Sequence, residues 1–329
     1  MSHKHVIWCD ETTLSKDLSG NVYIVTGANS GVGLETARQL VKQGGHVVMA
    51  CRRPDAGYDA AKTFDGLQGS HDVLKCDLAD LQSVRDFVSG FKAKHSQLNG
   101  LMCNAGMVSM KNSPQYSKDG FEITMAASFF GHFLMTELLQ DTLIKSAPSR
   151  VAITSSVVHA GSPKNRPHVH LDDLNFKNRK FNNFAAYAEA KVATNLYALE
   201  LADRFKGTGV TTASVHPGWA RSNFGSGGNF LMRSLMAVAK PLTRSMTNSN
   251  WESAQTSLHC LLSDDAPKHS GAYFSQHSVL YRDKECRKGG WPMESTNPHA
   301  KDMQAARALV AQASQLVGID EDRSHEPKS

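Results

Sequence analysis

The sequence predicts an α/β fold: a single doubly wound domain, with a seven-stranded parallel sheet and helices on both faces. Three observations predict it. Short apolar runs alternate with amphipathic stretches along most of the 329 residues, the order that builds βαβ units and covers a parallel sheet on both sides. The first run, Val22-Tyr23-Ile24-Val25-Thr26, feeds into a turn with glycines at 27, 31 and 33 and then into Leu34-Glu35-Thr36-Ala37-Arg38-Gln39-Leu40-Val41. No linker-like break in composition divides the chain, so one domain is expected over 20–317. Residues 1–19 form an irregular lead-in, and 318–329 a charged, disordered tail.

Each further element follows the same logic. His46-Val47-Val48-Met49-Ala50-Cys51 reads as a second buried strand, ended by Arg52-Arg53-Pro54. Asp72 to Cys76 is a third strand, after which Asp80 caps a helix from Leu81 to about His95. Gly100 to Cys103 is a fourth strand, entering Asn104-Ala105-Gly106. One long apolar helix runs from Phe121 to about Ile144, and Val151 to Ser155 is the fifth strand. A second long helix spans Phe184 to Phe205, before a sixth strand, Val210 to Val215, that ends at His216-Pro217-Gly218. Beyond an irregular region at 222–250 come a helix from Trp251 to Leu262, a seventh strand from Gly271 to Ser275 and a last helix from Ala300 to Leu316.

Composition removes several function classes. With 40% hydrophobic and 20% charged residues, the chain has enough apolar side chains for a sizeable core. Net charge is +5, and the basic clusters at Lys177–Lys180 and Arg282–Lys288 read as solvated faces. No nucleic-acid motif accompanies them. Six cysteines show no C-x-x-C pairing, and Cys51, Cys76 and Cys103 end strands as small hydrophobes, which suits a reducing compartment. The histidine pairs His3/His5 and His168/His170 have no acidic or cysteine partner at ligand spacing and read as exposed; no metal is expected. No apolar run reaches the roughly 18 residues of a membrane span, and no signal-peptide core opens the chain. A cytoplasmic protein is therefore expected.

The residues that carry chemistry gather where the strands end. Glycines let backbone approach a phosphate, and the helix that follows offers unpaired N–H groups and a positive dipole end. The spacing here is G-x-x-x-G-x-G, not G-x-G-x-x-G. Tyr187 and Lys191 are four apart, on one helix face one turn from each other. A phenol titrates near 10, too high to shuttle protons at neutral pH. An ammonium about 4 Å away at an effective dielectric of about 20 contributes roughly 4 kcal/mol, or up to about 3 pKa units before desolvation offsets it. Ser156, just past the fifth strand, is placed to hold a substrate oxygen.

Taken in order, these residues resemble the short-chain dehydrogenase/reductase superfamily, a Rossmann fold. Thr26-Gly27-x-x-x-Gly31-x-Gly33 matches its cofactor turn, Asn104-Ala105-Gly106 its strand-four motif, and Ser156 with Tyr187-x-x-x-Lys191 its catalytic set. Pro217-Gly218, with Ser222 where threonine is usual, matches its nicotinamide-side turn. Within the superfamily, Ser146 to Arg150, Gly209 to Gly218, Asp119 to Glu122 and Gly131 to Leu134 look like the retinol-dehydrogenase-like branch. Met49-Ala50-Cys51-Arg52 is also similar to protochlorophyllide reductases. The resemblance implies Tyr187 as acid/base and Ser156 as the residue that orients substrate. It implies that Lys191 binds the nicotinamide ribose and lowers the Tyr187 pKa. The turn Gly27, Asn29, Ser30, Gly31, Val32 and Gly33 would bind cofactor, with Asp77 and Leu78 at the adenine and Asn104, Ala105 and Gly106 at its ribose. A homodimer or homotetramer through the two long helices is also implied.

Cofactor choice follows from charge. An NAD site needs an acid near the end of the second strand, whereas Ala50-Cys51-Arg52-Arg53 offers none. Arg52 can pair with a 2′-phosphate, so NADP(H) is expected over NAD(H). One departure matters: Ser128 stands where the family usually carries the asparagine of its proton relay, and Cys103 replaces a second asparagine. Serine cannot offer the same donor/acceptor pair as an amide. The expected activity is therefore NADP(H)-dependent interconversion of an apolar carbonyl compound, retinoid-like or other, and its alcohol. The alternatives are a weakly catalytic dinucleotide sensor and a protochlorophyllide-reductase-like enzyme. Phe224, Phe230, Leu231, Met232, Leu235 and Met236 form either a lid or the core face of a short helix. The polar insertion from His159 to His170 either gates the cleft or does not.

Overall fold

The computed structural model describes residues 5–221 and 246–319. Ser222, the apolar lid residues and positions 320–329 of the tail lie outside the described residues. Seven strands form one sheet: β1 (Val22–Thr26), β2 (His46–Cys51), β3 (Ser70–Lys75), β4 (Gly100–Cys103), β5 (Ser149–Thr154), β6 (Val210–His216) and β7 (Tyr273–Ser275). Their order is β3-β2-β1-β4-β5-β6-β7, with every neighbouring pair parallel. Strand order reverses between β1 and β4, which opens a crevice beyond their carboxyl ends.

The main helices are α1 (Glu11–Leu14), α2 (Gly31–Lys42), α3 (Pro54–Ala61), α4 (Leu81–Lys94), α5 (Ile123–Met125), α6 (Gly131–Lys145), α7 (Asn183–Arg204), α8 (Asn250–Leu262) and α9 (Met303–Val317). Alternate residues of the strands feed two cores. Ile24, Val48, Leu101 and Val151 pack under α4, α6, α7 and α9. Val25, Val47, Met49 and Met102 pack under α2 and α8 on the other face. Strands apolar on both sides thus need helices on both sides, and the expected doubly wound sheet is what forms.

Several local expectations change. The lead-in is not merely irregular: it holds α1, capped by Asp10, and buries Cys9 and Leu18 in the α2/α8 core. β3 starts at Ser70 because its ladder with β2 begins at His46↔Ser70, and it ends one residue short of Cys76. The long helix expected from Phe121 is interrupted by a π turn, Ala126–Phe130, between α5 and α6. Gly131, where that turn ends, presses against the Leu78 carbonyl, and a Cβ there would collide with it. Such π turns recur at functional sites. Arg179 of the expected solvated cluster is instead half-buried, bonding Glu189 at 2.5 and 2.8 Å with its guanidinium 3.8 Å from the Phe176 ring centre. His168 is exposed as expected, whereas His170 is half-buried, their rings 4.2 Å apart and His170 Nδ1 3.2 Å from Glu189 Oε1.

Helices α6 and α7 are joined by a buried ionic knot. Arg204 donates to Glu137 at 2.8 and 2.6 Å and to Glu200 at 3.0 Å, while the Tyr197 hydroxyl donates to Glu137 at 2.8 Å. Both carboxylates hold the guanidinium charged against its burial. Removing one partner of a buried pair strands the other. Arg204→Ala is expected to destabilise the protein by about 3–5 kcal/mol, read from urea unfolding; a loss below about 1 kcal/mol, the range of exposed pairs, would contradict that.

Candidate active site

Because all seven strands are parallel, their carboxyl ends lie along one edge, and the described segments that follow them, from Gly27 to Gly218, collect there. Gly27 and Gly31 have φ of +64° and +62°, where a side chain would strain the turn. Gly33 serves packing: a Cβ there would sit 2.5 Å from Asn104 Nδ2 and 2.6 Å from the Gly27 carbonyl. Ser30, the N-cap of α2, makes no side-chain hydrogen bond to the helix, and no acid lies in the first turn. The helix start is thus left with donors and a positive end for an anion.

The ends of β1 and β4 are stitched by one hydroxyl. Thr26 Oγ1 accepts from the backbone N–H of Asn104 at 2.8 Å and of Ala105 at 2.9 Å, and lies 2.9 Å from His132 Nε2. Burial pushes His132 down to about 3, so its ring is neutral at working pH. Asn104 Nδ2 donates to the Thr26 carbonyl at 2.8 Å. The Asn104 and Ala105 N–H groups, expected at a cofactor ribose, are therefore already engaged in shaping the turn. On the neighbouring edge Asp77 is half-buried and accepts from Ala79 N at 3.1 Å, and Leu78 is buried against Gly131. Arg52 is exposed at the end of β2 and has no ion pair among the described residues.

Tyr187 and Lys191 project from α7 towards Ser156. The Ser156 hydroxyl hydrogen-bonds Tyr187 and, as the cap of a short 3-10 turn (Val157–Ala160), accepts weakly from Val158 N at 3.5 Å. Lys191 is 1% exposed, its Nζ donating to the Thr154 carbonyl at 2.6 Å and lying 5.6 Å from the Tyr187 ring centre. Ser155 Oγ and Thr194 Oγ1 both donate to the Lys191 carbonyl, pinning this turn of α7 to β5.

The electrostatics differ from expectation. Burial pushes the Tyr187 phenol up to about 12, with the Ser156 bond offsetting only part of that. Burial pushes Lys191 down to about 7. The lowering expected from the sequence is outweighed in the cofactor-free chain: the ammonium lies 5.6 Å from the ring centre, and desolvation of the phenol is the larger effect.

Ser128 sits in the π turn, 1% exposed. Its Oγ donates to the Met107 carbonyl at 3.3 Å and receives the Met107 N–H at 3.4 Å. One hydroxyl therefore makes both a donor and an acceptor contact to the loop after β4. A Cβ on Gly106 would lie 3.5 Å from Ser128 Oγ and 3.7 Å from Lys191 Nζ, in ordinary contact with both. Pro217 and Gly218 follow β6 at the same edge, Gly218 with φ of +79° and its Cα packed against Asn248.

The insertion after Ser156 is clamped. His159 is buried, its ring nitrogens 2.6 Å from the Ser156 carbonyl and 2.8 Å from Ser295 Oγ. Asn297 donates to the carbonyls of His159 and Pro167. Sequence reasoning missed these ties, as well as the Thr154 carbonyl, because backbone acceptors and contacts more than a hundred residues apart leave no local pattern.

The chain matches the short chain dehydrogenase family model over residues 21–167. It is 39% identical to retinol dehydrogenase 12 of Bos taurus over 310 residues, covering 92% of this chain and 88% of that protein. Against retinol dehydrogenase 13 of Homo sapiens the identity is 34%, with 92% and 86% covered. Among solved structures, an uncharacterised protein from Mycobacterium paratuberculosis superposes with a TM-score of 0.71 at 27% identity, over 93% of this chain and 96% of that one. A gluconate 5-dehydrogenase from Beutenbergia cavernae with bound NADP shares the fold at a TM-score of 0.61 and 21% identity, over 79% and 96%.

Proposed function

The chain belongs to the short-chain dehydrogenase family, in its retinol-dehydrogenase-like branch, and from that premise we propose that it interconverts an apolar carbonyl compound and its alcohol with NADP(H). The observation that carries this reading is the meeting of Ser156, Tyr187 and Lys191 at the carboxyl edge of the sheet, beside an α2 N-terminus with no side-chain cap. A nicotinamide dinucleotide bound along that edge supplies or accepts hydride at the carbonyl carbon. Gly27, Asn29, Ser30, Gly31, Val32 and Gly33 would hold its pyrophosphate, and Asp77, Leu78 and the Asn104–Gly106 segment its adenosine end. Pro217, Gly218 and Ser222 would lie on the nicotinamide side.

The chain's own groups do the rest. Ser156 holds the substrate oxygen through its hydroxyl, and Tyr187 gives that oxygen its proton in reduction or removes it in oxidation. Lys191 supplies a nearby charge and a donor to the nicotinamide ribose. Ser128 keeps the loop at Met107 in place, a positioning role. Consumption of NADPH with a panel of apolar aldehydes, ketones and retinoids tests the proposal, and the absence of turnover with every member would leave the sensor. A purified protein without visible pigment absorbance argues against a tetrapyrrole substrate.

NADP(H) over NAD(H) rests on Arg52, an exposed guanidinium at the end of β2 with no acid in the Ala50–Arg53 stretch. A charge-assisted hydrogen bond contributes about 1.5–3 kcal/mol. Arg52→Ala should therefore raise the KM for NADPH about 10- to 100-fold and leave that for NADH unchanged. Equal kcat/KM with both cofactors in the parent enzyme would remove the argument.

Two coarser points frame this. Among the described residues no helix is long and apolar enough to cross a membrane, and the six cysteines are free thiols, five of them buried. A cytoplasmic setting is proposed on that chemistry. A homodimer or homotetramer through α6 and α7 would have to use what α9 leaves uncovered, since α9 packs its Ala306, Leu309 and Ala313 into the core those helices share.

A further inference from the structure

At the opposite end of the sheet from the active site, three side chains converge. His46 opens β2, Asp72 lies two residues beyond its ladder partner Ser70 on β3, and His95 ends α4. His46 and Asp72 share the face of the sheet that α4 covers. Asp72 Oδ2 lies 3.8 Å from His46 Nε2 and 3.4 Å from His95 Nε2, and the three donor atoms all lie within 4.8 Å of one another.

We propose that His46, Asp72 and His95 form a site for a divalent transition-metal ion of zinc type, with solvent completing a tetrahedron. Zinc bonds to imidazole and carboxylate run about 2.0–2.2 Å in tetrahedral geometry, which sets ligand atoms about 3.3–3.5 Å apart. Two carboxylate–imidazole separations are already close to that value, and a modest rotation of the rings brings the two nitrogens together.

Two further observations support a ligand here. Both Nε2 atoms are shielded from solvent and have no hydrogen-bond partner, although a buried polar atom normally finds one. His46 Nδ1 lies 2.7 Å from Ser70 Oγ. With Nδ1–H donating to that hydroxyl, the Nε2 lone pair faces Asp72, the arrangement in which a second-layer partner fixes the tautomer of a metal-bound histidine. The His95 ring is held by Phe91, 5.1 Å between centres, and by His46, 4.8 Å. Lys94 Nζ, 3.7 Å from Asp72 Oδ2 and more than half exposed, is the cation the ion would displace.

The three positions are 26 and 23 residues apart in sequence (72 − 46 and 95 − 72), so no local spacing announces them. A bound ion would pin the edge strand β3 and the end of α4 to β2, far from the hydride chemistry.

The test uses the full-length protein stripped with chelator and titrated with Zn²⁺ and with Co²⁺. The parent should take up one equivalent that is lost in Asp72→Asn and in His95→Gln, give the visible absorption of tetrahedral Co²⁺, and show a Tm that rises with zinc. His168→Ala, which alters the separate cluster His168 forms with His170 and His299, should keep that uptake. Ser70→Ala, which leaves all three ligands in place, should weaken binding about 10- to 100-fold. No uptake by the folded parent, or uptake that survives both Asp72→Asn and His95→Gln, overturns the proposal.

Discussion

Tyr187→Phe is expected to lower kcat for carbonyl reduction about 100- to 10,000-fold, the usual contribution of a positioned general acid. Cofactor affinity should be little changed. The substitution keeps the ring whose centre lies 5.6 Å from the Lys191 ammonium and removes only the hydroxyl that bonds Ser156. Loss of the proton donor is therefore separated from loss of packing. Direction adds a second readout. With burial holding the phenol at about 12, Tyr187 is protonated throughout the neutral range, the form that reduction needs. Oxidation of the alcohol needs the phenolate, so its rate should climb with pH across the neutral and mildly alkaline range while the reduction rate does not. A Tyr187→Phe enzyme that reduces carbonyls as fast as the parent removes this residue from the chemistry.

The sheet was legible because both of its faces are covered. Strands such as Val47-Val48-Met49-Ala50-Cys51 are apolar at every position, a pattern that only a sandwiched parallel sheet produces over so many βα repeats. The site edge was legible for a related reason: residues that follow strands must share an edge when all strands are parallel, so Gly27, Arg52, Asn104, Ser156 and Pro217 were brought together by topology alone. What escaped depends on contacts that sequence does not order. The π turn at Ala126–Phe130 ends at Gly131, which packs against the Leu78 carbonyl of a distant segment. That Ser128 bonds both backbone groups of Met107 depends on the path of the loop after β4, which no local pattern announces. Tyr187 and Lys191 lie one turn apart on α7, and in the cofactor-free chain burial raises the phenol where charge alone would lower it. Spacing gives proximity; it does not give desolvation, and here desolvation is the larger effect.

That imbalance has a measurable consequence at Lys191. Its side chain is 1% exposed, and burial brings it from 10.5 to about 7 with one carbonyl as its hydrogen-bond partner. Between those two values the unfolded chain holds the proton more tightly than the native one, so native stability rises with pH across roughly pH 7 to 10.5. Below about 7 the ammonium is charged in both states and the burden of burying it is fully present. Lys191→Met, similar in length and without charge, is therefore expected to abolish turnover and at the same time stabilise the cofactor-free protein. Replacing buried charge with apolar groups stabilises by about 1–4 kcal/mol in other proteins, less here by what the Thr154 carbonyl loses when its donor goes. The sign with pH is the sharper test: the gain over the parent should be greatest at pH 6 and shrink steadily towards pH 10, followed by urea unfolding at each pH. A variant less stable than the parent at every pH, or a difference that does not move with pH, would mean that Lys191 is carried charged in the core by interactions strong enough to offset its desolvation.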